Sequence, residues 1–107
     1  MHTRSAIFRG RILPGQEEAF YEAVRETLVP AWRQMLHAQA VRVYRPLLAE
    51  PSSEDVFLVQ EIDYPSIAHI EEALASPRRE AASAALAAIR PFYEGSHHHI
   101  IYERLSD

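Results

Sequence analysis

The chain contains no cysteine, no lysine and no asparagine, and only three glycines. The first absence excludes a disulfide, a thiolate nucleophile and a cysteine-ligated metal. The second excludes a Schiff-base lysine and the lysine of a phosphate-binding loop. Without asparagine there is no glycosylation sequon. Gly10, Gly15 and Gly95 lie too far apart to form a phosphate loop, and no Gly-x-Ser-x-Gly elbow presents a serine nucleophile. Positive charge is also short. Eleven basic residues, all arginine, stand against fifteen acidic ones, giving a net charge of -4. That balance offers no basic face for nucleic acid. No stretch approaches the apolar length of a membrane span. The residues from Met1 to Ser5 lead into a strand-like run and not into an apolar signal segment. The expectation is a bacterial, cytoplasmic protein with no nucleic-acid and no membrane partner.

The 107 residues are 48% hydrophobic and 24% charged, as in an ordinary soluble globular domain. One domain over 1–107 is expected, with a real core but no room for a separate cofactor domain. The stretch Asp55–Asp63 organises it. Side chains alternate along a strand, so Val56, Leu58 and Ile62 face one way and Phe57, Val59 and Glu61 the other. Both faces begin apolar, which marks a central strand covered twice.

Around it the chain reads in order. Thr3–Leu13 is a first strand, with Ala6, Phe8, Gly10 and Ile12 on its helix-covered face and Ser5, Ile7, Arg9 and Arg11 opposite. Pro14-Gly15 turns into a helix over Gln16–Met35, where Phe20, Val24 and Leu28 recur every four residues. Pro30 lies inside that helix and predicts a kink or a split last turn. Val41–Leu48 is a second strand, placed at an edge by Pro46. Leu48–Asp55 is a hairpin loop, and Ser66 is a candidate cap for a helix over Ile67–Ser76. Pro77 interrupts, Arg78–Tyr93 resumes as an alanine-rich helix, Gly95 breaks the chain, and Ser96–Leu105 is the last strand. The order β-α-β-β-α-β predicts an α+β, ferredoxin-like fold: a four-stranded antiparallel sheet with two helices on one face. Its other face then carries Ile7, Phe57, Val59, Tyr44 and Ile101. An exposed apolar patch of that size predicts a partner, and a second copy of the chain closes it as a two-fold homodimer.

Several segments carry a resemblance. They are Pro14-Gly15 with its helix, Leu28-Val29-Pro30, Phe57–Glu61 followed by Ile62-Asp63 and a helix from Ser66, and Ala73-Leu74-Ala75-Ser76-Pro77. In these the chain resembles the dimeric α/β-barrel superfamily, and most closely its antibiotic-biosynthesis-monooxygenase type of domain. It departs from the usual pattern at Ile62-Asp63, where a tryptophan is common, at Glu72-Ala73, where a histidine is, and at Ala38–Ala40, which lacks a glycine. The resemblance implies a homodimeric barrel, a pocket beside each sheet, and a cofactor-independent monooxygenase- or isomerase-like activity.

The residues that bear chemistry are few. His97 and His99 share a face of the last strand, where they can serve as bases, bind a metal with a third ligand such as Glu61, His37 or Glu103, or simply lie exposed. Arg42 and Tyr44 share a face of the second strand, where they can hold an anion and donate a proton, or fill a dimer interface. Glu61 is a base if its pocket is dry, or the partner of an arginine such as Arg9. Trp32 and His37, flanking the end of the first helix, join Ile7 and Phe57 as candidates for a ligand pocket; Trp32 also reads as core and His37 as a helix C-terminal cation. Two classes of function fit: a small enzyme needing no bound cofactor, acting on an electron-rich or enolisable molecule, and a non-catalytic dimer that binds a small apolar or aromatic ligand.

Overall fold

The computed structural model describes residues 1–106. Its elements are β1 (His2–Ile12), α1 (Glu17–Ala23), α2 (Val29–Arg33), β2 (Ala40–Tyr44), β3 (Val56–Tyr64), α3 (Ile67–Ala75), α4 (Arg79–Ile89) and β4 (Tyr93–Glu103). The four strands form one antiparallel sheet in the order β2-β3-β1-β4. The helices cover one face, the ferredoxin-like arrangement.

Register divides the side chains cleanly. Arg4, Ala6 and Phe8 of β1 lie beside Ile62, Gln60 and Leu58 of β3, and on their other side beside Ile101, His99 and His97 of β4. Val41 and Val43 of β2 extend these rows. This is the helix-covered face, and Ala6, Phe8, Leu58 and Ile62 are buried on it. The opposite face carries Thr3, Ser5 and Ile7, Val59, Glu61 and Asp63, Arg42 and Tyr44, and His98, Ile100 and Tyr102.

The first helix buries Phe20, Val24, Leu28 and Trp32 against the sheet. Between α1 and α2, Val24–Leu28 forms a π-helical turn in which the Val29 N–H donates to the Val24 carbonyl. The wider turn precedes Pro30, which lacks an N–H and crowds the carbonyl one turn back. The helix therefore adapts before its proline and continues. Pro77 does separate α3 from α4, and Ser66 caps α3 by accepting from the His69 N–H at 3.2 Å.

Several boundaries and faces differ from those the sequence predicts. Strand β2 ends at Tyr44, short of the expected Leu48, two residues before Pro46. The alanine-rich helix ends at Ile89, because Arg90–Phe92, with Pro91 inside it, makes a 3-10 turn; β4 begins at Tyr93 and not at Ser96. Ile101 lies beside Arg4 on the helix-covered face, so Ile100 and Tyr102 take the place expected for it on the open one. A bulge accounts for a change of face on β3. Phe8 pairs with Leu58 but Arg9 pairs with Val56, so Phe57 is the extra residue. Its ring turns into the core, 5.6 Å from Phe20 and 5.1 Å from Tyr93. Val56 moves to the Arg9 side.

Gly95 does not break the chain; it sits inside β4 opposite Gly10. Gly10 has φ +136°, and a Cβ there would stand 2.2 Å from the Glu94 carbonyl oxygen. Gly10→Ala is expected to cost about 1–3 kcal/mol from backbone strain alone. A urea midpoint equal to that of the parent protein would show that β4 can move aside.

Candidate functional site

The aromatic cluster of Phe8, Phe20, Phe57 and Tyr93 fills one end of the space between sheet and helices. Over Ala6 the filling stops. Ala6 on the sheet and Ala82 on α4 are small, and the gap between them is a cavity of about 100 Å³. For scale, a cavity of about 150 Å³ accepts one benzene ring. Its apolar walls come from Phe8, Trp32, Met35, Ile62, Leu74 and Leu86. Its polar groups are Arg4, Gln60, Tyr64, Arg79, Ser83, His97 and His99. Arg79, Ser83 and His99 are exposed, so the mouth lies between α4 and the β4 edge.

The surroundings disfavour the charged form of both histidines. The His97 ring stacks on Phe8 at 4.8 Å and meets His99 edge-on at 5.1 Å. Burial, followed by Arg90 and Arg4, lowers the pKa of His97. Burial, followed by Arg4 and then His97, lowers that of His99 to about 4. Tyr64, almost fully buried, has its phenol pushed up by burial and drawn back by Arg4. Burial also lowers the pKa of Arg4, with Tyr64 raising it and Arg79 lowering it. Among the described residues neither Arg4 nor Arg79 has a carboxylate partner; Arg79 makes only a long bond, 3.4 Å, to the Leu74 carbonyl. Gln60 is buried, and its Oε1 has no hydrogen-bond partner.

The sheet separates these groups from the other candidates. Arg42 and Tyr44 lie on the open face, where Arg42 Nε donates to Glu61 Oε1 at 3.0 Å and the Tyr44 hydroxyl donates to the same oxygen at 3.1 Å. The partner of Glu61 is thus Arg42 and not Arg9, which pairs with Asp55 at 2.7 Å. Arg42 also holds Asp63 through both terminal nitrogens at 2.7 Å. Ile7 is on this face too, and Phe57 is in the core beyond the cavity. His37 follows the first helix at φ +67°, donates from Nε2 to Glu72 Oε2 at 2.6 Å, and packs edge-on against His69. Trp32, His97 and His99 are the sequence candidates that share the cavity. No group of three His, Asp or Glu side chains among the described residues is placed to hold a metal ion.

The sequence reading overlooked Arg4, Gln60, Tyr64 and Arg79. The signal for the first three was parity. Arg4 alternates with Ala6 and Phe8, and Gln60 and Tyr64 alternate with Leu58 and Ile62, so each is a polar group on a core-facing row. Nothing in the alanine-rich pattern singles out Arg79 from Arg78.

No protein-family model matches the chain, and no curated protein matches its sequence. Solved structures match its fold. An ethyl tert-butyl ether d (ethd) family protein from Bacillus halodurans superposes with TM-score 0.73 at 18% identity, over 98% of this chain and 100% of that one. A dimeric protein of unknown function and ferredoxin-like fold from Bacteroides fragilis matches with TM-score 0.67 at 14% identity, over 96% and 95%. SnoaB, a cofactor-independent oxygenase from Streptomyces nogalater, matches with TM-score 0.63 at 16% identity, over 99% and 94%. These likenesses establish the ferredoxin-like fold, the one that the sequence resemblance implied.

Proposed function

We propose that this protein is a cofactor-independent enzyme of the monooxygenase or isomerase kind, acting on a small electron-rich or enolisable molecule held in the cavity over Ala6. The observation that carries the reading is the pair of imidazoles, His97 and His99, whose surroundings disfavour the charged form, facing the cavity beside the Tyr64 phenol and two arginines. An uncharged imidazole can take a proton from an acidified C–H. The electron pair stays on the substrate as an enolate, which Arg4 and Arg79 stabilise. Return of the proton at another carbon is an isomerisation. Reaction of a doubly activated CH₂ with dioxygen gives a carbonyl and releases the second oxygen as water, the substrate supplying the electrons. The likeness to SnoaB supports this class.

A second reading, a non-catalytic binder of small aromatic ligands, is favoured by one observation: a pKa of about 4 makes His99 a weak base. Binding itself is common to both. Trp32, the one tryptophan, lines the cavity, so its emission reports occupancy. Titration with small cyclic ketones and phenols is expected to quench it, and Ala82→Phe, which fills the space, to weaken binding at least ~10-fold by displacing the ligand ring. Quenching that survives Ala82→Phe would place the ligand elsewhere.

The same proposal includes a cytoplasmic homodimer closed through the open sheet face. Tyr44, Ile100 and Tyr102 stand 46%, 40% and 40% exposed there, apolar area that a second copy would cover. Sedimentation is expected to give twice the chain mass, and Ile7→Glu, at the centre of that face, to give the monomer.

A further inference from the structure

We propose that the ligand of the cavity is a small hydroxylated aromatic acid, its carboxylate held by Arg4 and Arg79 and its hydroxyl paired with Gln60. This deepens the preceding reading and rests on it for the place of binding.

Two cations beside one small cavity, with no carboxylate between them, are an unusual arrangement. Arg42, Arg9, Arg11, Arg45 and Arg104 have acidic partners within 3.1 Å, and the remaining arginines without one among the described residues, Arg25, Arg33, Arg78 and Arg90, do not line the cavity. Arg4 and Arg79 have none among the described residues, and each lowers the pKa of His99. The half-buried, uncompensated guanidinium of Arg4 is costly, and an anionic oxygen entering the cavity offsets that cost, with exposed Arg79 adding its charge at the mouth. The two groups approach from different layers, Arg4 from β1 and Arg79 from α4, so an anion between them is clamped across the mouth. This geometry suits a carboxylate with two oxygens better than a single phenolate.

Gln60 specifies the other end. It lies beside Ala6 on β3, one strand from Arg4's own strand and two residues along, so the two Cα atoms are about 8 Å apart by ordinary strand spacings. The two groups therefore belong to different points along the cavity. The buried Gln60 oxygen has no partner among the described residues, and a hydroxyl that reaches it would supply one. A hydroxyl both donates and accepts, so it pairs with either end of the amide. Trp32 and Met35 then close on the ring faces with aromatic and thioether contacts.

The test uses four probes of one shape: benzoate, benzamide, 4-hydroxybenzoate and 4-hydroxybenzamide. Affinity is read from Trp32 emission and checked by calorimetry. Benzoate is expected to bind about 10–100-fold more tightly than benzamide, the worth of charge-assisted hydrogen bonds. The hydroxyl is expected to add about 5-fold or more in both series. Arg4→Gln removes most of the charge preference, and Arg79→Gln, on an exposed helix site that tolerates change, removes part of it. Gln60→Leu removes the hydroxyl preference and leaves the charge preference. If benzamide binds the parent protein as well as benzoate does, the anionic ligand is wrong while the cavity reading stands. If Arg4→Gln and Arg79→Gln both keep the preference, the clamp is wrong. If no probe alters Trp32 emission and calorimetry shows no heat, the cavity reading fails together with this one.

Discussion

Asp63→Ala is expected to lower stability by roughly 3 kcal/mol, the cost of removing one partner from a buried ion pair. The Asp63 side chain is only 5% exposed and has four donors: both terminal nitrogens of Arg42 at 2.7 Å, the Thr3 hydroxyl at 2.7 Å and Arg104 Nη2 at 3.1 Å. Truncation leaves the buried Thr3 hydroxyl without its acceptor and two guanidinium groups facing each other. The low end of the usual range applies, because Arg42 and Arg104 are 35% and 37% exposed and turn to water. In a domain of this size the loss corresponds to a Tm lower by roughly 10–20 °C. Asp63→Asn retains an acceptor for Thr3 and is expected to lose less. The same group sets an acid limit. Bonding to Arg42, against burial and with help from Thr3, lowers the Asp63 pKa from 3.8 to about 2. The depressed carboxylate contributes stability that is fully present above pH 3.8 and lost as pH falls toward 2, about 2 kcal/mol in all. A melting point unaffected by Asp63→Ala would mean that the network is solvated and ornamental.

His99→Ala is expected to slow proton exchange at an activated C–H by about 10²–10⁴, the usual worth of a positioned base. The readout is deuterium uptake into a bound cyclic ketone in heavy water, followed by NMR. Because kcat/KM reports the free enzyme, its acid limb should fall as pH drops through about 4, and not through the ordinary histidine value of 6.5. His97→Phe keeps a ring stacked on Phe8 and should cost less. A limb near 6.5, or exchange untouched by His99→Ala, would remove His99 from the chemistry and favour the binding module. Linkage gives an independent check. The fold favours uncharged His99, so its contribution to stability is whole above pH 6.5 and declines as pH falls toward 4. His99→Gln should flatten that part of the stability profile.

Alternation made the fold legible. Leu58 and Ile62 on β3, and Ala6 and Phe8 on β1, announced which face the helices cover, and Pro46 announced the edge. What escaped was backbone detail without a residue signature. The bulge at Phe57 contains no glycine, yet it reverses the parity of Val56 and Phe57 and moves an expected open-face residue into the core. The site was legible in part. His97 and His99 lie two residues apart on one strand and so share a row, which makes their pairing local. Arg42, Tyr44 and Glu61 also share a face, but which face depends on a register spanning distant strands. Arg4, Gln60 and Tyr64 were hidden because a polar residue among apolar ones reads as an interruption of the core, when here it marks the place where the core is left unfilled.

The π-turn before Pro30 acts as a phase setting for the helix. An α-helix advances about 100° per residue, and Val24–Leu28 closes a bond one residue longer than the α pattern. Closing that turn into regular α geometry with the same residues would rotate everything after it by about 100° around the axis, because the wide turn absorbs the extra residue. Trp32 and Met35 would then leave the cavity wall while Phe20, before the turn, kept its seat in the aromatic cluster. One added residue in a single helical turn thus decides which side chains reach the ligand space, independently of the sheet that forms its floor.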